Sequence, residues 1–332
     1  MQLASSKEIK QNNYMSKELQ KSQYTFSVIT AAYNSEKYIS RCIMAVANNN
    51  YDLSKVEHII VDDGSTDSTA AVVESYAKKY PHIKFYRKAN SNWGGVINYV
   101  KDNKLIHNDY VVICDSDDVI SRKAFSRVNK SVNDADFAIG GFCFWNGKHR
   151  NLPVLPYYYI FKRYMRDRKF TKVYASTPVP FSYYIKSRMF YTSPRCKENV
   201  PYQDIPLFFW AQRTAKTIIN IPHIMGKYWS IRPDNTVSQA IAVDDKNFQL
   251  FLDNMHYLEK IDESTFAFLL LLRFPKWFQV IKQKNIKFTF KSPPSVRILP
   301  LYLRWITWII YRIKVKKYFI IKKPKKVVKI NN

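Results

Sequence analysis

From Tyr24 onward the chain alternates short apolar runs with amphipathic stretches. Tyr24 to Thr30, Val56 to Val61, Ile83 to Tyr86 and Tyr110 to Cys114 are runs of branched and aromatic residues with the length of buried strands. Between them apolar positions recur at helical spacing. Ile39, Ile43 and Val46 predict one helix, and Val72, Val73 and Tyr76, ahead of Pro81, predict a second. Gly94 to about Asn103 predicts a third. Ser65, Thr66 and Asp67 are all N-cap types and should launch the second helix. Arg122 to Lys130 then reads as a helix and Phe137 to Phe144 as a strand. Alternation of this kind builds right-handed βαβ units, so the pattern predicts an α/β fold with a mostly parallel central sheet. From about Asn151 to Phe190 the periodicity dissolves into Tyr, Phe, Lys and Arg, as in an acceptor-facing or lid region. No internal repeat and no long low-complexity linker interrupts the chain.

Length and cysteine content add bounds. The 332 residues suffice for one α/β core and an appendage. Cys42, Cys114, Cys143 and Cys196 form no C-x-x-C pair, which argues against a zinc site and a disulfide framework. Residues 1–23 are a polar leader without an apolar core, so no cleaved secretory signal is expected and the active domain should face the cytoplasm. Met15 is a possible alternative start.

Charge changes the picture more. The formal net charge is +27, no acidic residue follows Glu263, and 17 Lys or Arg lie between Arg273 and Lys329. Residues 241–332 are therefore expected to form a helical, basic extension. In Val296 to Arg312 three arginines fall on one helical face with Trp, Leu and Ile around the rest, a pattern that lies in a membrane interface. It is too short and too charged for a span of roughly 20 apolar residues. The lysines from Lys314 to Lys326 add attraction to an anionic membrane surface. Peripheral attachment at the inner face of the cell membrane follows as an expectation. A basic helix packed on the domain is the plainer alternative, and nucleic acid is not the expected partner. A non-catalytic protein that binds nucleic acid or anionic lipid through this tail is the rival from another functional class.

Candidate chemistry sits in two acidic clusters, each placed just after an apolar run: Asp62-Asp63-Gly64-Ser65-Thr66-Asp67 and Asp115-Ser116-Asp117-Asp118. Carboxylates at the carboxyl ends of strands stand where open α/β sheets bind ligands. So close together they stay ionised where solvent, donors or a hard cation offsets their repulsion, which points to a nucleotide handled through a divalent metal. The Asp117 carboxylate is expected to be exposed.

These residues resemble the family 2 inverting glycosyltransferases of the GT-A fold over roughly Tyr24 to Phe144. The likeness rests on Ala32-Tyr33-Asn34 at a strand end, the Val61-to-Asp67 turn, and Asp115-Ser116-Asp117-Asp118 as a D-x-D signature. It implies a GT-A domain over 24–240, with 24–144 binding a nucleotide sugar and 145–240 facing the acceptor. It implies that Ala31, Tyr33 and Asp63 hold the base, and that Asp115 and Asp117 hold the ribose and a Mg²⁺ or Mn²⁺ on the diphosphate, with Ser116 beside them. Asp62 and Asp67 are expected to serve turn and cap bonds instead. Asn90 to Asn98 resembles the family's segment bordering the donor; Asn98 matches its Asn, Ile97 stands where Arg is frequent, and paired Gly94 and Gly95 either allow close backbone approach to a ligand or form a helix start packed against the sheet. Val200 to Trp210 resembles the helix start that carries the general base, with Asp204 in that role or as an N-cap of a helix over Leu207 to Trp210. Tyr228 to Thr236 resembles a stretch that closes over the diphosphate, with Arg232 as a phosphate contact. The implied reaction moves a hexose or N-acetylhexosamine from a UDP-sugar to a glycan, lipid-linked or glycoprotein acceptor.

Overall fold

The computed structural model describes residues 24–144, 152–154, 179–200, 203–229, 288–290 and 319–321. The chain divides into two compact units, Met1–Asn235 and Thr236–Asn332. In the first, the predicted strands appear as β1 (Phe26–Ala32), β2 (Val56–Asp62), β3 (Ile83–Arg87) and β4 (Tyr110–Ile113), followed by β5 (Val119–Ile120) and β6 (Phe137–Phe144). The helices between them are α1 (Ile39–Ala47), α2 (Thr69–Lys79), α3 (Asn92–Asp102) and α4 (Ala124–Ser131). Then come β7 (Leu152–Val154), β8 (Tyr183–Lys186), α5 (Ser187–Tyr191), α6 (Asp204–Thr214) and β9 (Ile218–Tyr228).

The sheet order is β3-β2-β1-β4-β8-β6-β9-β5, with β7 paired to β6. Its amino-terminal half is parallel throughout: β2 and β4 flank β1 in register, Phe26 against both Val56 and Tyr110, and β3 lies outside β2. Chain order runs outward from β1 to β3 and then returns to the other side of β1 with β4. The reversal between β1 and β4 is a topological switch point, the place where open α/β sheets bind their ligands. β8 runs antiparallel between β4 and β6, and β9 is parallel to β6.

Several elements, among them β5, β7 and α5, carried no signal in the sequence, and three others show why the reading fell short. β8 falls inside the aperiodic stretch, because a strand buried on both faces shows no alternation: Tyr183, Tyr184 and Ile185 are all buried. β9 mixes polar and apolar positions irregularly and carries register shifts against β6. α6 is longer than Leu207 to Trp210, since Pro206 lies in its first turn, where a missing N–H costs nothing. The N-cap expectations also need correction. α2 begins at Thr69, with Asp67 Oδ1 accepting the Thr69 N–H at 3.0 Å, and Gln203 rather than Asp204 precedes α6, without a side-chain cap.

Phe26 at the start of β1 stacks on Phe125 of α4 at 5.1 Å and meets Tyr51 edge-on at 5.3 Å. With Tyr110, Tyr184 and Phe181 it belongs to one buried cluster, while Ala32, Ile39, Ile43, Ile60 and Val73 form another. Truncating so buried an aromatic side chain costs about 3–5 kcal/mol. This core fixes the strand ends that carry the site. In the second unit, β10 (Phe288–Phe290) pairs in parallel with β11 (Phe319–Ile321). The expected interfacial helix over 296–312, the lysine-rich end and Arg232 lie outside the described residues. Among the described residues no helix is long and apolar enough to cross a membrane.

Candidate active site

The turn after β1 and the turn after β2 are laced together. Asn34 adopts a left-handed backbone (φ 46°) that asparagine tolerates. Its Oδ1 accepts the Thr66 N–H at 2.9 Å, and its own N–H donates to Ser65 Oγ at 3.0 Å. Ser35 N–H donates to Thr69 Oγ1 at 2.7 Å, and Glu36 N–H to Asp67 Oδ2 at 3.2 Å. Asp62 is fully buried; its Oδ1 accepts the Ser65 N–H and its Oδ2 accepts Arg87 Nε, both at 3.0 Å. Asp62 and Asp67 thus hold turns, as their types and places suggested. Tyr33, 51% exposed, projects from this lacing, and Ala31 is half-buried behind it.

Asp63 lies beneath, 2% exposed. Its Oδ1 accepts Lys88 Nζ at 2.5 Å and the Ser91 N–H at 3.1 Å. Burial raises the carboxyl pKa despite these donors. Lys88 also donates to Ala89 O and Ser91 Oγ. Gly64 is obligatory beside them: its φ is +77°, and a Cβ would stand 3.0 Å from Asn90 N.

Each residue of the acidic turn after β4 is pinned by a different element. Asp115 Oδ1 accepts Trp93 Nε1 of α3 at 3.0 Å. Ser116 Oγ bonds Ser35 Oγ at 2.7 Å. The Asp117 carbonyl accepts Arg41 Nη2 of α1 at 2.8 Å. Asp118 Oδ1 accepts the Trp229 N–H just past β9, at 3.1 Å, and the Trp229 ring lies 4.4 Å from the Arg41 guanidinium. Asp117 is 9% exposed, more enclosed than expected of a strand-end carboxylate. Asp118 is fully buried with Oδ2 unpartnered, and burial, then the charges of Asp117 and Asp115, push its pKa well above the usual carboxylate range.

Asp204 opens α6. Its half-buried carboxyl is raised to about 6 by desolvation, which the N–H groups of Asp204 and Ile205 partly offset. Tyr183, whose ring meets Phe208 one helical turn beyond Asp204 at 5.1 Å, has a buried hydroxyl with no partner among the described residues. Burial first, and then the charges of Asp204 and Asp115, keep that phenol protonated.

Asn98 and the paired glycines pack against the chain itself. Asn98 donates both Nδ2 protons to the protein, to Cys196 O at 2.9 Å and Glu198 Oε1 at 3.0 Å, and accepts the Cys196 N–H at 3.0 Å. What approaches Gly94 is protein: a Cβ there would stand 3.1 Å from Cys196 Cβ and from Gln203 Cγ and would overlap the Lys197 carbonyl. A Cβ on Gly95 would overlap Ser91 Oγ. Lys88, Ser91, Trp93, Arg41 and Trp229 were all missed. Ser91, Trp93 and Trp229 lie within segments already singled out but were not themselves picked, while Lys88 and Arg41 have as their sole signal a position after β3 and on α1.

Among the described residues no group of three or more His, Cys, Asp or Glu is arranged to hold a metal ion by itself. The oxygen donors of the acidic turn nonetheless suit a hard cation that takes one or two carboxylates and completes its shell on a substrate diphosphate, and the orphaned Asp118 Oδ2 belongs to such an environment.

Residues 27–188 match the family model of glycosyl transferase family 2. An uncharacterized glycosyltransferase of Mycoplasma pneumoniae is 28% identical over 306 residues, covering 90% of this chain and 99% of its own. The minor teichoic acid biosynthesis protein GgaA of Bacillus subtilis is 35% identical over 136 residues, 40% of this chain and 28% of that protein. Among solved structures, Staphylococcus aureus TarS residues 1–349 in complex with UDP-GlcNAc superposes with a TM-score of 0.54 at 18% identity, covering 89% of each chain. That likeness is one of fold. The chain is a glycosyltransferase of family 2, with the GT-A type of fold.

Proposed function

We propose that this enzyme transfers a hexose or N-acetylhexosamine from a UDP-sugar, with inversion, to a carbohydrate, lipid-linked or glycoprotein acceptor in the synthesis of a cell-surface glycan. What supports the reading is Asp204 at the start of α6, its carboxyl raised to about 6 by desolvation, in a chain whose acidic turn after β4 lies within a family 2 domain. A base must be ionised near neutral pH and still basic enough to take a proton, and a carboxylate at about 6 meets both needs. Asp63 faces the base of the nucleotide, with Tyr33 and Ala31 beside it. Asp115, Ser116 and Asp117 face the ribose and diphosphate. Asp115 and Asp117 would hold Mg²⁺ or Mn²⁺, which neutralises charge growing on the departing diphosphate. The solved mannosyltransferase of Pyrobaculum calidifontis carries Mn²⁺ with GDP-Man.

The acceptor hydroxyl gives its proton to Asp204 as its oxygen bonds the anomeric carbon from the face opposite the leaving diphosphate. The bond from that carbon to the diphosphate breaks in the same step. Arg232 is the candidate diphosphate contact from the chain beyond β9. UDP is favoured because TarS binds UDP-GlcNAc and UDP, and a surface polymer because relatives such as GgaA serve teichoic acid synthesis. The basic segment after Ser295 would hold the enzyme peripherally on the cytoplasmic face of the membrane. The rival reading of a non-catalytic binding protein is set aside by the family match.

Thermal-shift measurements with uridine, guanosine and thymidine diphosphates, with and without Mn²⁺, test the donor. A ligand at 100 times its Kd stabilises by about 2.7 kcal/mol. UDP with Mn²⁺ should raise the melting temperature most, and stabilisation by guanosine diphosphate alone would refute the UDP reading.

A further inference from the structure

We infer that Asn98 acts as a positioning residue for the general base, by clamping the loop that delivers Asp204, and does not contact the donor. The inference rests on the assignment of Asp204 as base. A neutral amide offers two protons and one oxygen. Asn98 has committed both protons and has bonded its oxygen to the backbone of one loop residue, so that the amide mimics a strand partner for Cys196.

The rest of that α3 face is shaped for the same loop. Gly94, Asn98 and Lys101 follow one another at helical spacing. Gly94 leaves room for the Lys197 carbonyl. Lys101 Nζ donates to Ser193 Oγ at 2.9 Å and also reaches the Ser193 and Pro194 carbonyls. The loop is then tied to the start of α6, because Lys197 N–H donates to Gln203 Oε1 at 2.8 Å, one residue before Asp204. At its near end the Asn199 N–H donates to the Ser91 carbonyl at 2.9 Å, and the Ser91 N–H holds Asp63. The first turns of α3 thus join the nucleotide side to the base side. A displacement of about 1 Å in such a support can cost on the order of 10²-fold in rate.

The test uses the full chain and two perturbations of different chemistry. Asn98→Ala removes the clamp; Gly94→Ala pushes the loop away without removing any hydrogen-bonding group. For each, calorimetry measures UDP affinity in Mn²⁺, hydrogen exchange follows residues 193–205, and UDP release from UDP-N-acetylglucosamine gives turnover, with Asp204→Asn as reference. Expected are faster exchange in 193–205, UDP affinity within about twofold of the parent protein, and turnover lower by at least about tenfold. A loss of UDP affinity in Asn98→Ala with unchanged exchange in 193–205 would overturn the inference and return Asn98 to the donor site. So would unchanged turnover in both variants. If Asn98→Ala fails to fold, Gly94→Ala and Lys101→Met carry the same expectations. Failure of the base assignment is separate: it shows as full turnover in Asp204→Asn.

Discussion

Asp204→Asn should stabilise the protein while disabling it, and the stabilisation should appear and vanish with pH. The Asp204 carboxyl stands at about 6 in the fold against 3.8 in an unfolded chain, because burial disfavours its charge. A folded pKa above the unfolded one means that the folded state holds the proton more tightly. Stability is thus lost as pH rises from about 4 to about 6, and above that the whole penalty is present. A shift of about two units corresponds to about 3 kcal/mol, reduced by whatever solvent reaches the half-buried group. The neutral amide removes this penalty. At pH 8 the variant should be more stable by about 1–3 kcal/mol, or roughly 2–10 °C in a body of this size. At pH 4, where the parent carboxyl is protonated, the two proteins should melt together. Turnover should fall by about 10² or more with UDP affinity nearly unchanged, since general base catalysis contributes about 10²–10⁴. Paired melting curves at pH 4, 6 and 8 decide it. A variant less stable than its parent at pH 8, or an offset independent of pH, would refute the account of Asp204 as a base raised by desolvation.

Three further outcomes follow from the same geometry. Asp117→Asn should abolish Mn²⁺-dependent UDP binding in calorimetry, with the fold retained because the amide nearly matches the carboxylate in shape and the Arg41 bond to the backbone carbonyl remains; unchanged affinity would remove Asp117 from the metal assignment. Gly64→Ala should cost about 1–2 kcal/mol in denaturant unfolding, since its φ of +77° is unfavourable for any residue with a Cβ and Asn90 crowds the position; it should also weaken UDP binding by displacing the Ser91 contact to Asp63. Deletion from Ser295 onward should release the enzyme from anionic vesicles in flotation and leave UDP affinity intact, with parent attachment weakening at high salt; vesicle binding that survives the deletion would place the membrane contact elsewhere.

The parallel half of the sheet was legible because β1 through β4 are short apolar runs separated by amphipathic helices, the strongest pattern a sequence carries. The two acidic clusters were legible for the same reason, as polar residues placed directly after such runs. β8 and β9 were not, since their neighbours in space come from distant parts of the chain and leave no local periodicity. For Asn98 and Gly94 position left two readings open, a ligand cradle or a packed helix start, and nothing local reveals that a loop a hundred residues later packs against them. Lys88, which holds Asp63, and Trp93, which holds Asp115, are ordinary residues in sequence and become informative through contact alone.

The most direct test of the central claim is the configuration of the transferred sugar. With UDP-N-acetylglucosamine, Mn²⁺ and an acceptor hydroxyl, or water in its place, the anomeric signals of the first product formed can be followed by proton NMR. Direct displacement assisted by Asp204 predicts a product of configuration opposite to the donor, formed by the parent enzyme and absent with Asp204→Asn. A product that keeps the donor's configuration, or one formed equally well without Asp204, would contradict it.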